Sequence, residues 1–431
     1  MDEKHAKRMA IMVVIAAWLA VFCLFGFRAT FAVLKVPMSK EMGWSAGDIS
    51  LGYALMMSIY AITAFFSGVI VDRWGTKPAY LLAAIFGALG FYVTGGTTSL
   101  WQYYAAYGIL GGIGTGMLWV SSTVSVRKWY VGKDYAKMWG LAFMGAPMAQ
   151  IVLSLTTKHV IRTSGWRPAW TLLGSVVLVA MLLATIIAKK TPEAYGVRPF
   201  GEMPGSNKEE YVWGIGEAFS RYAMWGVIAA FLTSMVAEFL IWTQVVSYWA
   251  QDLKMDLGKA TNLYSIIGLA GVFSMPLIGI AADKVVQRVG NEPRGRKIML
   301  IVGPASGVLA CILLLLTGVS LVLGVISCAI FAVYWAIEPG GVVGYTGSVY
   351  GRKTLGKIWG LATLICMGLG PAIGTYLGGY FKDITGMYTW SILFALVAFA
   401  LSAVMATTLP LSVQPKAAPA KPETTVREAA A

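Results

Sequence analysis

Residues 68–77 read GVIVDRWGTK and follow a long apolar stretch that begins near residue 48. A carboxylate, an arginine and a lysine set around two glycines, directly after about twenty apolar residues, mark a point where a chain leaves a bilayer and turns back. A shorter relative of this stretch, GIAADK, occupies 279–284, and a basic RGRK follows at 294–297. The offset from Gly68 to Gly279 is 211. Two further landmarks repeat in the same order. KMWGLA at 137–142 returns as KIWGLA at 357–362, offset 220, and each copy precedes a Gly–Pro pairing, Gly145-Ala146-Pro147 and Gly370-Pro371. GWRPAWTLL from Gly165 pairs with GMYTWSILF from Gly386, offset 221. The chain is therefore two copies of one unit. Duplicated halves in a membrane place a substrate site at their interface near the midplane.

Composition sets the solvent. The chain of 431 residues is 58% hydrophobic and 13% charged, whereas soluble proteins carry about 25% charged residues. Its 16 Trp suit the lipid–water interface and its 49 Gly suit close helix packing. Twelve apolar segments are long enough to span, near 9–34, 48–71, 78–96, 101–124, 138–160, 168–188, 222–249, 261–282, 298–317, 320–347, 357–381 and 385–408. Pro339, Gly340 and Gly341 predict an interruption in the tenth. Nucleic acid is excluded as a partner despite the +14 net charge, because the charges sit in short loops and form no face or tail. Cys23, Cys311, Cys328 and Cys366 all fall in apolar segments and read as small buried hydrophobes. MDEKHAKRM runs straight into the first apolar segment, which predicts a retained helix and not a cleaved signal.

With both termini in the cytoplasm, internal segments hold 25 of the 34 Lys and Arg and external loops hold 8, with Arg28 inside a span. This bias sets the expected orientation. Residues 189–221, with three Pro and five Gly, are the longest internal loop. The expected organisation is a six-helix bundle over 1–188, a cytoplasmic central loop over 189–221, a second bundle over 222–409 and a disordered cytoplasmic tail over 410–431.

GVIVDRWGTK resembles the motif that the major facilitator superfamily carries between its second and third helices. Asp72, Arg73 and Lys77 match its charged positions, Gly68 and Gly75 its glycines, and Asp283 and Lys284 match the weaker second copy. The resemblance covers the whole chain. It implies an all-α membrane protein of 12 helices in two pseudo-symmetric six-helix bundles, with these residues acting as a cytoplasmic gate latch. A carboxylate at a helix end can pair with arginine in one conformation and release it in another.

Three ionisable side chains lie well inside the expected spans: Arg28, Glu238 and Glu338. Each costs about 2.5–3.5 kcal/mol to insert, so function is the default expectation. The planar fork of Arg28 suits a carboxylate or phosphate, against the alternatives of an ion pair with a glutamate or snorkelling to the outer face. Glu238 follows Arg28 by 210 residues, so the two can face one site from opposite halves. Glu238 and Glu338 are each candidates for proton coupling, or for a fixed counter-ion to Arg28. Phe27, Phe31, Trp119, Trp242, Tyr334, Trp335 and Tyr345 are the aromatic residues expected to cluster near these charges. Of these, Phe31, Trp119, Trp242, Tyr334 and Tyr345 join Arg28 as substrate-binding candidates. No catalytic triad, metal cluster, cofactor motif or nucleotide-binding Gly-Lys-Ser loop is present, which argues against an enzyme or an ATP-driven pump.

Helix 1, GFRATFAVLKVPMSKEMGWSAGDIS, and the turn TPEAYGVRP are similar to bacterial monocarboxylate and oxalate/formate porters. Arg28 falls where the monocarboxylate family has a substrate-related lysine. The resemblance implies a small organic acid as substrate, with protons or a counter-substrate as coupling partner, in a protein working as a monomer in the cell (inner) membrane. Helix 8 departs from the family: it has no charge before Asp283, where the family has an Asp/Arg pair. Tyr107 stands where proton-coupled relatives have a helix 4 arginine. Organophosphate porters are the nearest rival, but Glu238 stands where they need a second arginine. A zwitterion or organic cation transporter, a drug exporter and a transporter-like sensor are the alternatives.

Overall fold

The computed structural model describes residues 3–44, 46–202 and 210–415. The part of the central loop at 203–209 and the tail from 416, where most of the expected disordered tail falls, lie outside the described residues. Among the described residues, twelve long apolar helices form where twelve were expected: α1 (Glu3–Met42), α2 (Ala46–Trp74), α3 (Thr76–Gly95), α4 (Leu100–Trp129), α5 (Tyr135–Ser164), α6 (Trp166–Ile187), α7 (Tyr222–Asp252), α8 (Leu257–Val289), α9 (Glu292–Gly318), α10 (Leu321–Tyr350), α11 (Leu355–Thr385) and α12 (Thr389–Thr407). Most overrun the apolar segments, because hydropathy marks only the lipid-facing length, whereas helix hydrogen bonding continues into the polar ends.

The packing repeats as the sequence does. In the first half α1 packs on α5 and α6, α2 on α4, and α3 on α4 and α6. In the second half α7 packs on α11 and α12, α8 on α10, and α9 on α10 and α12. The halves meet through α2 against α11 and α5 against α8, which are equivalent pairs under the repeat.

Helix α10 corrects one expectation. It runs unbroken through 339–341. Its glycines serve close approach instead. A Cβ on Gly340 would lie 2.0 Å from Cδ1 of Trp139, one on Gly344 2.7 Å from Tyr135, and one on Gly347 2.6 Å from Nε of Arg127. The glycines thus open a groove that receives side chains of α4 and α5. The real irregularities lie elsewhere. Residues Tyr104–Gly111 of α4 and Tyr248–Asp252 of α7 are π-helical, and α5 breaks at Met144, just before Gly145-Ala146-Pro147.

The central loop is more than a divider. The Phe200 amide donates to the Trp129 carbonyl and Val131 donates to Phe200, each at 2.9 Å. Arg352, after α10, donates to Glu210 at 2.7 Å and to Glu193 at 2.8 Å. The loop thereby straps the α4–α5 turn to the α10–α11 turn. Burial pushes the Glu210 carboxyl up, but the charge and hydrogen bonds of Arg352 outweigh it and hold it below its ordinary value. A carboxyl lowered in the folded state stabilises above its unfolded pKa and loses that contribution as pH falls through the folded one. We expect Glu210→Gln to lower thermal stability at pH 7 by about 1 kcal/mol or less, since the pair is partly solvated. The difference from wild type should persist down to about pH 5 and vanish below the ordinary carboxylate range near pH 4; melting curves across pH check this.

Candidate functional site

Arg28 sits on α1 beside Gly26, whose missing side chain admits Leu153 of α5; a Cβ there would lie 2.2 Å from Cδ1 of Leu153. The guanidinium lies 4.7 Å from the ring centre of Tyr60 on α2 and 5.4 Å from that of Phe25. Its Nε and Nη2 are buried and have no hydrogen-bond partner. Leaving donors of a permanent cation unpaired in an apolar interior is costly. Glu238 interacts with Arg28 only through its charge, without an ion pair. On the other side Phe31 stacks on Tyr107 at 5.9 Å and packs on Tyr53 at 4.5 Å. Tyr107 belongs to the π-helical turn of α4 and its buried hydroxyl is also unpartnered.

An aromatic layer spans the two halves next to Arg28. Trp119 of α4 meets Phe25 at 6.3 Å and Trp139 of α5 at 5.7 Å. Trp335 of α10 contacts Phe25 at 5.9 Å, Phe143 at 5.6 Å and Trp242 of α7 at 5.2 Å. The indole N–H groups of Trp119 and Trp139 are buried without acceptors. Arg28, Phe31, Trp119 and Trp242 are thus brought into one neighbourhood. Phe27 packs on Phe91 within the first half. Tyr345 is not brought there, because its hydroxyl donates to the Pro410 carbonyl at 2.5 Å, at the far end of α10.

Tyr334 turns to the glutamates instead. Its hydroxyl donates to Glu238 Oε2 at 3.0 Å, and the Trp242 indole donates to Oε1 at 3.2 Å. Glu338 accepts from the Ser234 hydroxyl at 3.2 Å through Oε1, while its Oε2 is buried and unpartnered. Ser234 and Glu238 are one turn apart on α7, so a single helix face carries one carboxyl and the hydroxyl that meets the other.

The latch residues form two matching clasps at the end of the molecule that holds the central loop. A helix start leaves up to four amides unpaired and carries partial positive charge. Neither α5 nor α11 has a side-chain cap of its own. Asp72 of α2 fills the role for α11, accepting from the amides of Gly356 at 3.1 Å and Lys357 at 2.8 Å. Asp283 of α8 does so for α5, accepting from Ala136 at 2.9 Å and Lys137 at 2.7 Å. Each aspartate also holds a cation, Lys128 at 2.7 Å and Arg296 at 2.9 Å respectively. Arg73, Lys77 and Lys284 are exposed, and Arg73 lies over its neighbour Trp74. The cation pairing the first aspartate is therefore Lys128 rather than an arginine within the motif. Gly75 adopts a φ of 88° at the start of α3, which suits glycine.

Residues that sequence reasoning passed over complete the site. Glu292 bridges Arg127 at 2.6 Å and Arg296 at 3.5 Å, and Tyr135 lies under both guanidinium groups at 4.9 and 5.0 Å. In the sequence Arg127 and Lys128 count only toward topology, and the RK pair in the last turn of α4 is the available signal. Tyr53, Tyr60 and Phe25, like Ser234, carried no signal, because an aromatic or serine in an apolar helix looks the same in packing and in function.

Twelve spanning helices, repeated six by six and clasped at one end, with an unpaired cation between the halves, define a secondary transporter architecture. The chain matches the Major Facilitator Superfamily model over residues 17–367 and belongs to that superfamily of transporters, not to an enzyme family. It is similar to "Monocarboxylate transporter 4" of Gallus gallus, 23% identical over 268 residues, covering 61% of this chain and 55% of that protein. It is also similar to "Probable sulfoacetate transporter SauU" of Cupriavidus necator, 22% identical over 302 residues, covering 68% of this chain and 70% of that protein. The chain spans about half the length of the monocarboxylate transporter it matches. Among solved structures, the transporter FucP in the outward conformation superposes with a TM-score of 0.66 at 13% identity, covering 92% of this chain and 98% of that one, which shows the fold.

Proposed function

We propose that the chain is a secondary active transporter of a small organic anion, monocarboxylate-like in class, working by alternating access as a monomer in the cell (inner) membrane. Arg28 holds the substrate carboxylate, and Phe31, Trp119 and Trp242 surround its apolar part. Both termini, the central loop and the two aspartate clasps are cytoplasmic, in keeping with the distribution of Lys and Arg. The six-helix halves over 1–188 and 222–409 rock about the site, and the clasps close the cytoplasmic side. Glu238 and Glu338 carry the coupling proton, or wait on an exchanged counter-substrate.

One observation carries this reading: two buried, unpartnered nitrogens of Arg28 in an aromatic setting. A carboxylate is the planar acceptor that would satisfy them together. Relatives named for monocarboxylates and for sulfoacetate support an anionic cargo. A zwitterion or cation is less well served, because both oxygens of Glu238 are already engaged by protein donors.

The test is counterflow in proteoliposomes with labelled small carboxylates and sulfonates, with and without an imposed pH gradient. Saturable flux of at least one anion, competed by others of its class and not by amines, is the expected result. Flux of amines or amino acids with no anion transported would overturn it.

A further inference from the structure

We infer that Glu238 and Glu338 work as one two-carboxyl unit that Ser234 and Tyr334 position, in which Glu338 keeps a proton, Glu238 keeps the charge, and Glu238 takes up a second proton when an anion occupies Arg28. This deepens the proposed function and rests on Arg28 as the anion site.

The geometry divides the two carboxyls. Both are buried, Glu238 at 6% and Glu338 at 1% exposure. Glu238 receives a donor on each oxygen, from Trp242 and Tyr334, which is the setting of a carboxylate that holds its charge. Glu338 has one partner, the Ser234 hydroxyl, whose single hydrogen is shared with the Phe231 carbonyl, and its other oxygen lies against α9, where a Cβ on Gly303 would be 2.9 Å away. No donor reaches that oxygen. The two carboxyls interact through their charges, and with Arg28, among the described residues, as the one cation facing them two negative charges in an apolar interior repel, so one proton belongs to the pair.

Ser234 and Tyr334 join the two sites. The Ser234 hydroxyl shares its one hydrogen between the Phe231 carbonyl at 2.9 Å and Glu338 at 3.2 Å, and the Tyr334 hydroxyl shares its own between Glu238 at 3.0 Å and the Ser234 carbonyl at 3.3 Å. Among the described residues, the other titratable and charged groups facing the pair are few. Arg28 faces it from α1, through its charge alone. Tyr264 of α8 donates to the Trp242 carbonyl at 3.4 Å. Cys366 of α11 donates to the Ile228 carbonyl at 3.7 Å. Helix α9 contributes Gly303, and α12 contributes Phe399 against Tyr334 and Ser402, whose hydroxyl donates to Ala230.

Charge balance gives the consequence. With the site empty, Arg28 and ionised Glu238 balance each other through space. An anion that neutralises Arg28 leaves Glu238 uncompensated, and one proton restores the balance. Anion binding and proton binding at Glu238 then strengthen each other by the same factor. One proton accompanies each monoanion.

Two measurements on the reconstituted full chain test this. The first needs no substrate: infrared spectra follow the acid-carboxyl C=O band with pH. We expect a band at neutral pH that Glu338→Gln removes, and a second, growing on acidification, that Glu238→Gln removes. Ser234→Ala and Tyr334→Phe together should shift the pH of that second transition by at least tenfold in proton concentration. A missing neutral-pH band, one that survives Glu338→Gln, or a transition unmoved in the double variant overturns the unit. The second follows KM for the transported anion between pH 8 and pH 6. Wild type should fall about tenfold and Glu238→Gln should stay flat; a flat wild type or a retained slope in Glu238→Gln overturns the linkage. If no anion is transported at all, the Arg28 assignment fails, while the infrared result still decides the carboxyl pair.

Discussion

Replacing Arg28 with glutamine is expected to abolish saturable anion flux, with a loss of at least about 100-fold in kcat/KM, while the protein still inserts and folds. The size follows from the contacts. A charge-assisted bidentate contact made in a water-poor site contributes about 3 kcal/mol or more, and a factor of ten corresponds to about 1.4 kcal/mol. Folding should survive because Arg28 stabilises nothing it touches through an ion pair, and two of its nitrogens are unsatisfied. Removing a buried cation that makes no ion pair relieves a desolvation cost, which offsets the lost through-space balance with Glu238, so Arg28→Gln should melt close to the wild-type temperature. Arg28→Lys keeps the charge but loses the fork, and should retain flux with KM raised about tenfold. Counterflow and melting curves on the three proteins read both effects. Normal transport by Arg28→Gln would remove Arg28 from the substrate site, and lost transport together with unfolding would make it a structural residue.

Alanine at Gly68, or at its repeat partner Gly279, is expected to hold the clasped end of the molecule open. A Cβ on Gly68 would lie 2.0 Å from the carbonyl oxygen of Gly356, and one on Gly279 2.3 Å from that of Ala136. Both obstacles are backbone, so no rotamer change relieves them. The helix pairs α2–α11 and α5–α8 must separate by an ångström or more. The same separation pulls Asp72 and Asp283 off the amides they cap. A shift of about 5.5 kcal/mol inverts a 99:1 population, and a clash of this kind together with a lost cap is of that order. Spin labels at exposed Lys77 and Lys353 should report a longer distance in Gly68→Ala, with turnover down about 10–100-fold. Gly379→Ala, whose Cβ meets nothing within 4 Å, is the control. An unchanged distance in Gly68→Ala would mean that the clasp does not close by backbone approach.

The repeat explains why these effects come in pairs. The offset of 211 carries Gly68 to Gly279 and Asp72 to Asp283. The offset of 220 carries the amides of Gly356 and Lys357 back to those of Ala136 and Lys137. The aspartate motif and the KMWGLA/KIWGLA repeat are therefore two sides of one contact. Each copy of the first motif closes on the opposite half's copy of the second. Sequence comparison registered both repeats but not that they touch, because the contact joins segments far apart along the chain.

What the chain alone determined is what depends on local composition. Twelve spans follow from apolar length, because a bilayer leaves no other way to satisfy the backbone. The twofold architecture follows from recurring motifs, and the singling out of Arg28, Glu238 and Glu338 follows from the cost of charge in a span. Tertiary structure alone decided partners. It turned Tyr334 from the substrate group to the glutamates, sent Tyr345 to Pro410, paired Asp72 with Lys128, and made 339–341 a packing groove inside an unbroken helix. The physical reason is one of range. Hydropathy and insertion cost act on each residue against its solvent and can be summed along the chain, whereas hydrogen bonds and close packing act over about 3–4 Å between helices whose rotation no single segment specifies.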